Sequence, residues 1–131
     1  MKSIVLIARS LIGLFGIALV VLGVLFWTGH ALSLLPLHML LGGLFVISLW
    51  VLAAVGFVVP GARGLAFVVL LWSLILPALG VSQVRLLPGS GHWVIQVLHL
   101  LVALIAMGLG HALARRIGQR PVATAGMSAS V

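Results

Sequence analysis

Histidine is the residue type in this sequence that could carry chemistry. The chain of 131 residues has no aspartate, no glutamate and no cysteine. A neutral imidazole binds iron, copper or zinc, and two imidazoles on facing helices can hold a haem iron from both sides without adding net charge. The candidate ligands are therefore the five histidines, His30, His38, His92, His99 and His111.

The missing residue types exclude several other kinds of chemistry. Without carboxylate side chains the chain cannot perform paired-acid hydrolysis, build a carboxylate site for Mg²⁺ or Ca²⁺, or relay protons through acids. Without cysteine it cannot form disulfides, ligate iron–sulfur clusters or attach a c-type haem covalently. Histidine chemistry is what remains.

The elements that must position these histidines are hydrophobic helices. The chain is 64% hydrophobic and 5% charged, whereas soluble domains carry about 25% charged residues. Four apolar segments, each near the roughly 20 residues that span a bilayer, are separated by turns with glycine or proline. We expect an all-α, integral membrane four-helix bundle in one domain, residues 1–120, with a disordered tail at 121–131. The predicted helices are 10–27, 33–59, 65–81 and 92–114.

Basic residues indicate how the bundle is oriented. If the chain crosses the membrane four times, Arg85, in the loop before the fourth helix, lies on one side of the membrane. Every other basic residue lies on the opposite side. Because cytoplasmic loops are enriched in Lys and Arg, both termini should be cytoplasmic, and we expect the inner membrane of a bacterium. The formal charge of +7 lies at the edges of apolar runs, which favours lipid headgroups and argues against nucleic acid as the partner. The basic residues on the side of the termini are Lys2, Arg9, Arg63, Arg115, Arg116 and Arg120.

This orientation gathers four of the five histidines toward the outer face and leaves His111 at the cytoplasmic end. On the fourth helix, His92, Gln96 and His99 share one stripe because their spacings are 4 and 3. On the second helix, Gly42 lies one turn from His38. A glycine beside a ligand lets a flat macrocycle approach the backbone, although close helix packing explains it as well.

The predicted haem ligands are His38 and His99, because both lie within apolar runs where an ionisable residue indicates a functional site. His92 is the alternative. At about 1.5 Å per residue, His38 lies about 32 Å from the inner end of its helix, His92 about 33 Å and His99 about 22 Å, so straight helices favour His92. Arg85 is the expected partner of the haem propionates, with Gln96 as a further donor. We interpret His30 and His111 as interfacial polar residues.

Other polar groups within the apolar runs have simpler interpretations. We expect Ser48 and Ser73 to bond to their own helices. Trp50 and Trp72 should pack against neighbours or face lipid, with a cofactor or quinone contact as the alternative. Pro77 is expected to kink the third helix.

In outline, residues 10–114 resemble the small four-helix membrane cytochromes of b type and the haem-carrying membrane anchors of succinate dehydrogenase. The resemblance lies in the topology and in the histidines on the second and fourth helices. It implies a b-type haem held by histidine side chains. The chain has one histidine on the second helix, His38, where large dihaem cytochrome b subunits carry a pair on each of two helices.

We therefore expect a haem b protein near the outer membrane face that transfers electrons between quinone or a membrane partner and an external acceptor. It would be an electron-transfer or accessory protein rather than a self-contained enzyme. The alternative is a structural or assembly subunit of a larger membrane complex, and small-residue stripes also allow a homo-oligomer. A histidine-bound metal or chlorophyll-type pigment is a third hypothesis. Transport is disfavoured because there is no intramembrane acid or pair of broken helices.

Overall fold

Four long α-helices form the structure, a computed structural model that describes residues 1–119. They are α1 (Lys2–Trp27), α2 (Leu35–Val58), α3 (Arg63–Ser82) and α4 (His92–Gly118). Short 3₁₀ turns at Leu32–Leu34 and Gln83–Arg85 precede α2 and follow α3. No strand occurs in this described part, so the all-α prediction is confirmed. The predicted tail, 121–131, and Arg120 lie outside it.

The helices pack as an antiparallel bundle. Each helix lies against the next one along the chain, α1 closes the ring against α4, and α2 also contacts α4 across the diagonal. We call the end with the N-terminus, the α2–α3 turn and the end of α4 the termini end, and the end with the other two connections the distal end. All four helices are long and apolar enough to span a membrane.

Two helices extend further than the sequence predicted. The first begins at Lys2 rather than at residue 10 because Val5 and Ala8 are buried in the bundle and continue its apolar face. The fourth continues past 114 to Gly118 because Ile117 is buried. Its last turn carries Arg115 and Arg116, and cations stabilise this end of a helix through the helix dipole.

The tightly packed core lies in the half of the bundle next to the termini end. Gly56 lets α2 approach α3 closely, since a Cβ at this position would lie 2.9 Å from the Cβ of Ala66. Gly110 does the same for α4, where a Cβ would lie 2.7 Å from Leu49 Cδ2 and 3.2 Å from Ile12 Cδ1. The largest fully buried side chains of the described residues are Ile12, Leu49, Leu52, Leu113, Val69 and Ser73.

Side-chain hydrogen bonds also join the helices. Ser48 and Ser73 donate to carbonyls of their own helices, at 2.8 and 2.7 Å, as the sequence predicted. The indoles of Trp50 and Trp72 do more than pack, because the Trp50 N–H donates to Ser73 Oγ at 2.8 Å and the Trp72 N–H donates to the Val102 carbonyl at 3.0 Å. These bonds tie α2 to α3 and α3 to α4.

Replacing Gly56 by Ala should separate α2 from α3, since the nearest atom of Ala66 is a Cβ that cannot rotate away. We expect a loss of about 1–3 kcal/mol, measured as a lower midpoint of thermal unfolding in detergent. The matched control is Gly43→Ala on the same helix, where a Cβ would meet nothing within 4 Å. Equal midpoints for the two variants would contradict close packing at Gly56.

Candidate functional site

Few side chains are buried in the distal half of the bundle. No side chain in residues 35–44 of α2 is buried, and the stretches 18–27, 74–82 and 92–101 of the other helices contain one buried residue each. These three are Leu22, Leu76 and Ile95. By contrast, α2 alone has seven buried residues between Phe45 and Gly56. Buried side chains are therefore concentrated in the half of the bundle next to the termini end.

His38 and His99 both lie in this distal half. His38 lies in the first turn of α2 and His99 two turns into α4, on the two helices that meet across the diagonal. His38 lies 20 residues before Val58 and His99 lies 19 residues before Gly118, so each is about 30 Å from the end of its helix. The sequence predicted a lower height for His99 than for His38 because it ended the fourth helix at residue 114. The observed helix ends at Gly118.

Neither of these two imidazoles makes a hydrogen bond to residues 1–119. The Nδ1 atoms of His38 and His99 are buried, and they are the buried side-chain nitrogen or oxygen atoms without a partner in this part of the chain. An unpaired buried polar group costs about 1–3 kcal/mol. The two unpaired groups lie on α2 and α4, the helices that meet across the diagonal.

The other three histidines each have a local partner. His30 shares a hydrogen bond of 3.1 Å with Thr28 Oγ1, and its side chain is exposed. The Nδ1 of His92 lies 3.3 Å from the Leu86 carbonyl, in the connection before α4. The Nδ1 of His111 lies 2.9 Å from the Met107 carbonyl, one turn earlier in α4. For His92 this leaves Nε2 available, so it stays the alternative ligand.

Phe26 and Gly80 border the histidine pair and were not identified from the sequence. The Phe26 ring meets His38 edge to face with centroids 5.4 Å apart. Gly80 of α3 lies against His99, since a Cβ there would be 3.2 Å from His99 Cε1. No local signal in the sequence marks either residue as a neighbour of a histidine.

Gly42, Gln96 and Arg85 occupy the surroundings of the pair in different ways. A Cβ at Gly42 would meet only Leu19 Cδ2, at 4.0 Å, so this position has open space. Gln96 is half-buried and its amide makes no hydrogen bond within residues 1–119. Arg85 is exposed at the distal end, in the turn that follows α3. Both side chains are therefore free to bind a polar group there.

The two imidazoles of His38 and His99 favour a metal-containing ligand that needs only two protein side chains. Among residues 1–119, no three His, Cys, Asp or Glu side chains gather in a group that could hold a metal ion, and zinc sites use three or four such protein ligands. Haem differs because its porphyrin supplies four nitrogens and the protein adds one or two axial ligands. Two neutral imidazoles on facing helices in a sparse apolar environment fit this requirement.

No family model, curated protein or solved structure matches this chain.

Replacing His38 or His99 by Leu should not destabilise the ligand-free protein, because each change removes a buried polar atom without a partner. We expect the free energy of unfolding to rise by about 1 kcal/mol, measured by denaturant unfolding in detergent. His111→Leu is the control, and loss of its bond to Met107 should lower stability by about 0.5–1.5 kcal/mol. Strong destabilisation by His99→Leu would show that this imidazole has a structural role.

Proposed function

We propose that this chain is an integral membrane protein with cytoplasmic termini that binds one b-type haem between α2 and α4, near the outer face, and takes part in electron transfer. His38 and His99 would hold the haem iron, and His92 is the alternative ligand. The bundle lies in the inner membrane of a bacterium, and its electron partners are quinone or a membrane protein on one side and an acceptor outside the cytoplasm on the other.

The supporting observation is the pair of unpartnered imidazoles. In residues 1–119 the polar side-chain atoms that are buried have hydrogen-bond partners, except Nδ1 of His38 and of His99. The cost of leaving both unpaired in an apolar environment is offset if a metal centre binds them. Because the rings lie on the diagonal helices, one ligand can contact both, and the sparse distal half supplies apolar surroundings.

Each neighbouring residue has a role in this proposal. Phe26 and Gly80 hold the two rings, since the phenyl edge contacts His38 and the absence of a side chain at Gly80 admits His99. Gly42 leaves space beside α2. Arg85 is exposed at the distal end and would pair with the haem propionates, and Gln96 would donate a hydrogen bond. When bound, haem iron supplies one-electron oxidation and reduction.

A pair of neutral imidazole ligands also suits a site that has no acidic side chain. The chain has no acidic side chain, so a metal centre cannot be held here by carboxylates. Imidazoles bind haem iron without introducing charge into an apolar region, where charge is costly. The outer position is supported by Arg85, the basic residue found at the distal end.

Single His→Ala variants test the ligand assignment. After expression with ample haem, the purified protein should show a Soret band, and its spectrum should change strongly in His38→Ala and His99→Ala because each loses an axial ligand. His111→Ala and His30→Ala are controls that should keep the original spectrum. Adding imidazole to His99→Gly should restore it by filling the vacated ligand position.

Two outcomes would overturn the haem proposal. One is a protein that remains colourless after expression with ample haem, and stoichiometric co-purification with a larger enzyme would then identify a structural or assembly subunit. The other is an unchanged haem spectrum in both His38→Ala and His99→Ala. A spectrum sensitive to His92→Ala in place of His99→Ala would reassign one ligand to His92.

The absence of cysteine allows orientation to be tested with single introduced thiols. In intact bacterial cells, Ser90→Cys at the distal end should react with a membrane-impermeant maleimide, because this connection is proposed to face outward. Ser3→Cys at the termini end should react only after the cells are broken. The reverse pattern would place the termini outside and contradict the orientation assigned from the basic residues.

A further inference from the structure

Two arginines meet at the α2–α3 turn. Arg63, the first residue of α3, donates through Nε to the Phe57 carbonyl at 3.0 Å. Arg116, in the last turn of α4, donates through Nε to the Gly61 carbonyl at 3.0 Å. Both acceptors belong to one stretch of five residues, 57–61, so the two carbonyls lie at most about 14 Å apart even in a fully extended chain.

The Gly61 carbonyl is available because of the turn itself. Gly61 has a φ of 80°, a left-handed conformation that glycine adopts without a steric penalty. The chain reverses at this point between α2 and α3, and the carbonyl of the reversing residue accepts the bond from α4. The turn therefore joins three helices through backbone acceptors rather than through ion pairs.

These bonds use only Nε of each guanidinium. The two Nη groups of Arg63 and of Arg116 make no hydrogen bond within residues 1–119, and both side chains are exposed. The sequence contains no Asp or Glu that could pair with them. Two guanidinium groups are therefore held in place by neutral carbonyls, and most of their donors have no partner in the part of the chain that the structure describes.

We propose that Arg63 and Arg116 form a binding site for the phosphate of an anionic phospholipid. A guanidinium binds phosphate through parallel N–H donors, and anchoring through Nε reduces the freedom that binding would otherwise remove. Helices of this hydropathy place the turn at the level of lipid headgroups once the bundle is in a bilayer. The site is independent of haem binding and requires only the proposed membrane location.

Lipid titration of the full chain tests this site. The protein in a neutral detergent is titrated with phosphatidylglycerol, with phosphatidylcholine of the same acyl chains and with inorganic phosphate, and bound molecules are counted by native mass spectrometry. Phosphatidylglycerol should bind more tightly than phosphatidylcholine, because the net negative charge of its headgroup is attracted to the two arginines. Its affinity should fall about fivefold in R63Q or R116Q and about twentyfold in the double variant.

Two variants serve as matched controls. R115Q removes the same charge from the adjacent position of α4, and R85Q removes it from the distal end, and both should keep the affinity of the unaltered chain. R63K/R116K keeps the charges but lacks the forked donors, so its affinity should lie between those of the unaltered chain and the double glutamine variant. Circular dichroism of every variant checks that the helices are retained.

Several results would overturn the proposal. An equal loss in R115Q and R116Q would show that only net charge matters. Equal binding of the two lipids would remove the specificity for an anionic headgroup, and displacement of the lipid by an equal concentration of inorganic phosphate would assign the site to a soluble anion. If R63Q/R116Q does not fold, unchanged affinity in the folded R63K/R116K would equally contradict anchored guanidinium binding. A maleimide labelling pattern that is the reverse of the predicted one would contradict the membrane orientation. That result is distinguishable from each of these lipid-binding results.

Discussion

A helix bundle must pair the polar groups that it buries, because an apolar interior offers no water to do so. This requirement explains much of the side-chain bonding here. Ser48 and Ser73 donate to carbonyls in their own helices, and the indoles of Trp50 and Trp72 reach acceptors on neighbouring ones. His38 and His99 are the exception in residues 1–119, and the proposed function depends on that exception.

The two ends of the bundle have different structures and different proposed roles. Next to the termini, glycines allow close helix contacts, large side chains fill the core, and arginines fasten the α2–α3 turn. At the distal end few side chains are buried, and the buried Nδ1 atoms of His38 and His99 have no partner in residues 1–119. Such a division is physically reasonable, since a rigid half can hold a site whose own packing is incomplete until a ligand is bound.

The sequence predicted the elements better than their relations in space. Four apolar runs were sufficient to predict four helices, because length and hydropathy are local properties. Helix ends were less accurate: the burial of Ile117 that extends α4 depends on its neighbours. The same error favours His92 over His99 on height, whereas with the observed helix ends His38 and His99 lie at similar distances from the ends of their helices. The sequence did not identify Phe26 and Gly80 as neighbours of the histidines. A phenylalanine or a glycine in an apolar helix carries no signal of which residue it contacts on another helix. The distal half's sparse packing is likewise a tertiary property.

The central claim is that His38 and His99 together bind one haem iron, and electron paramagnetic resonance of the oxidised, haem-loaded protein tests it most directly. Two imidazole ligands give a low-spin ferric centre, and loss of either ligand should convert it to a high-spin one. We predict a low-spin signal in the unaltered chain and a high-spin signal in both His38→Ala and His99→Ala. A protein that binds no haem, or a low-spin signal that persists in both variants, would contradict the account.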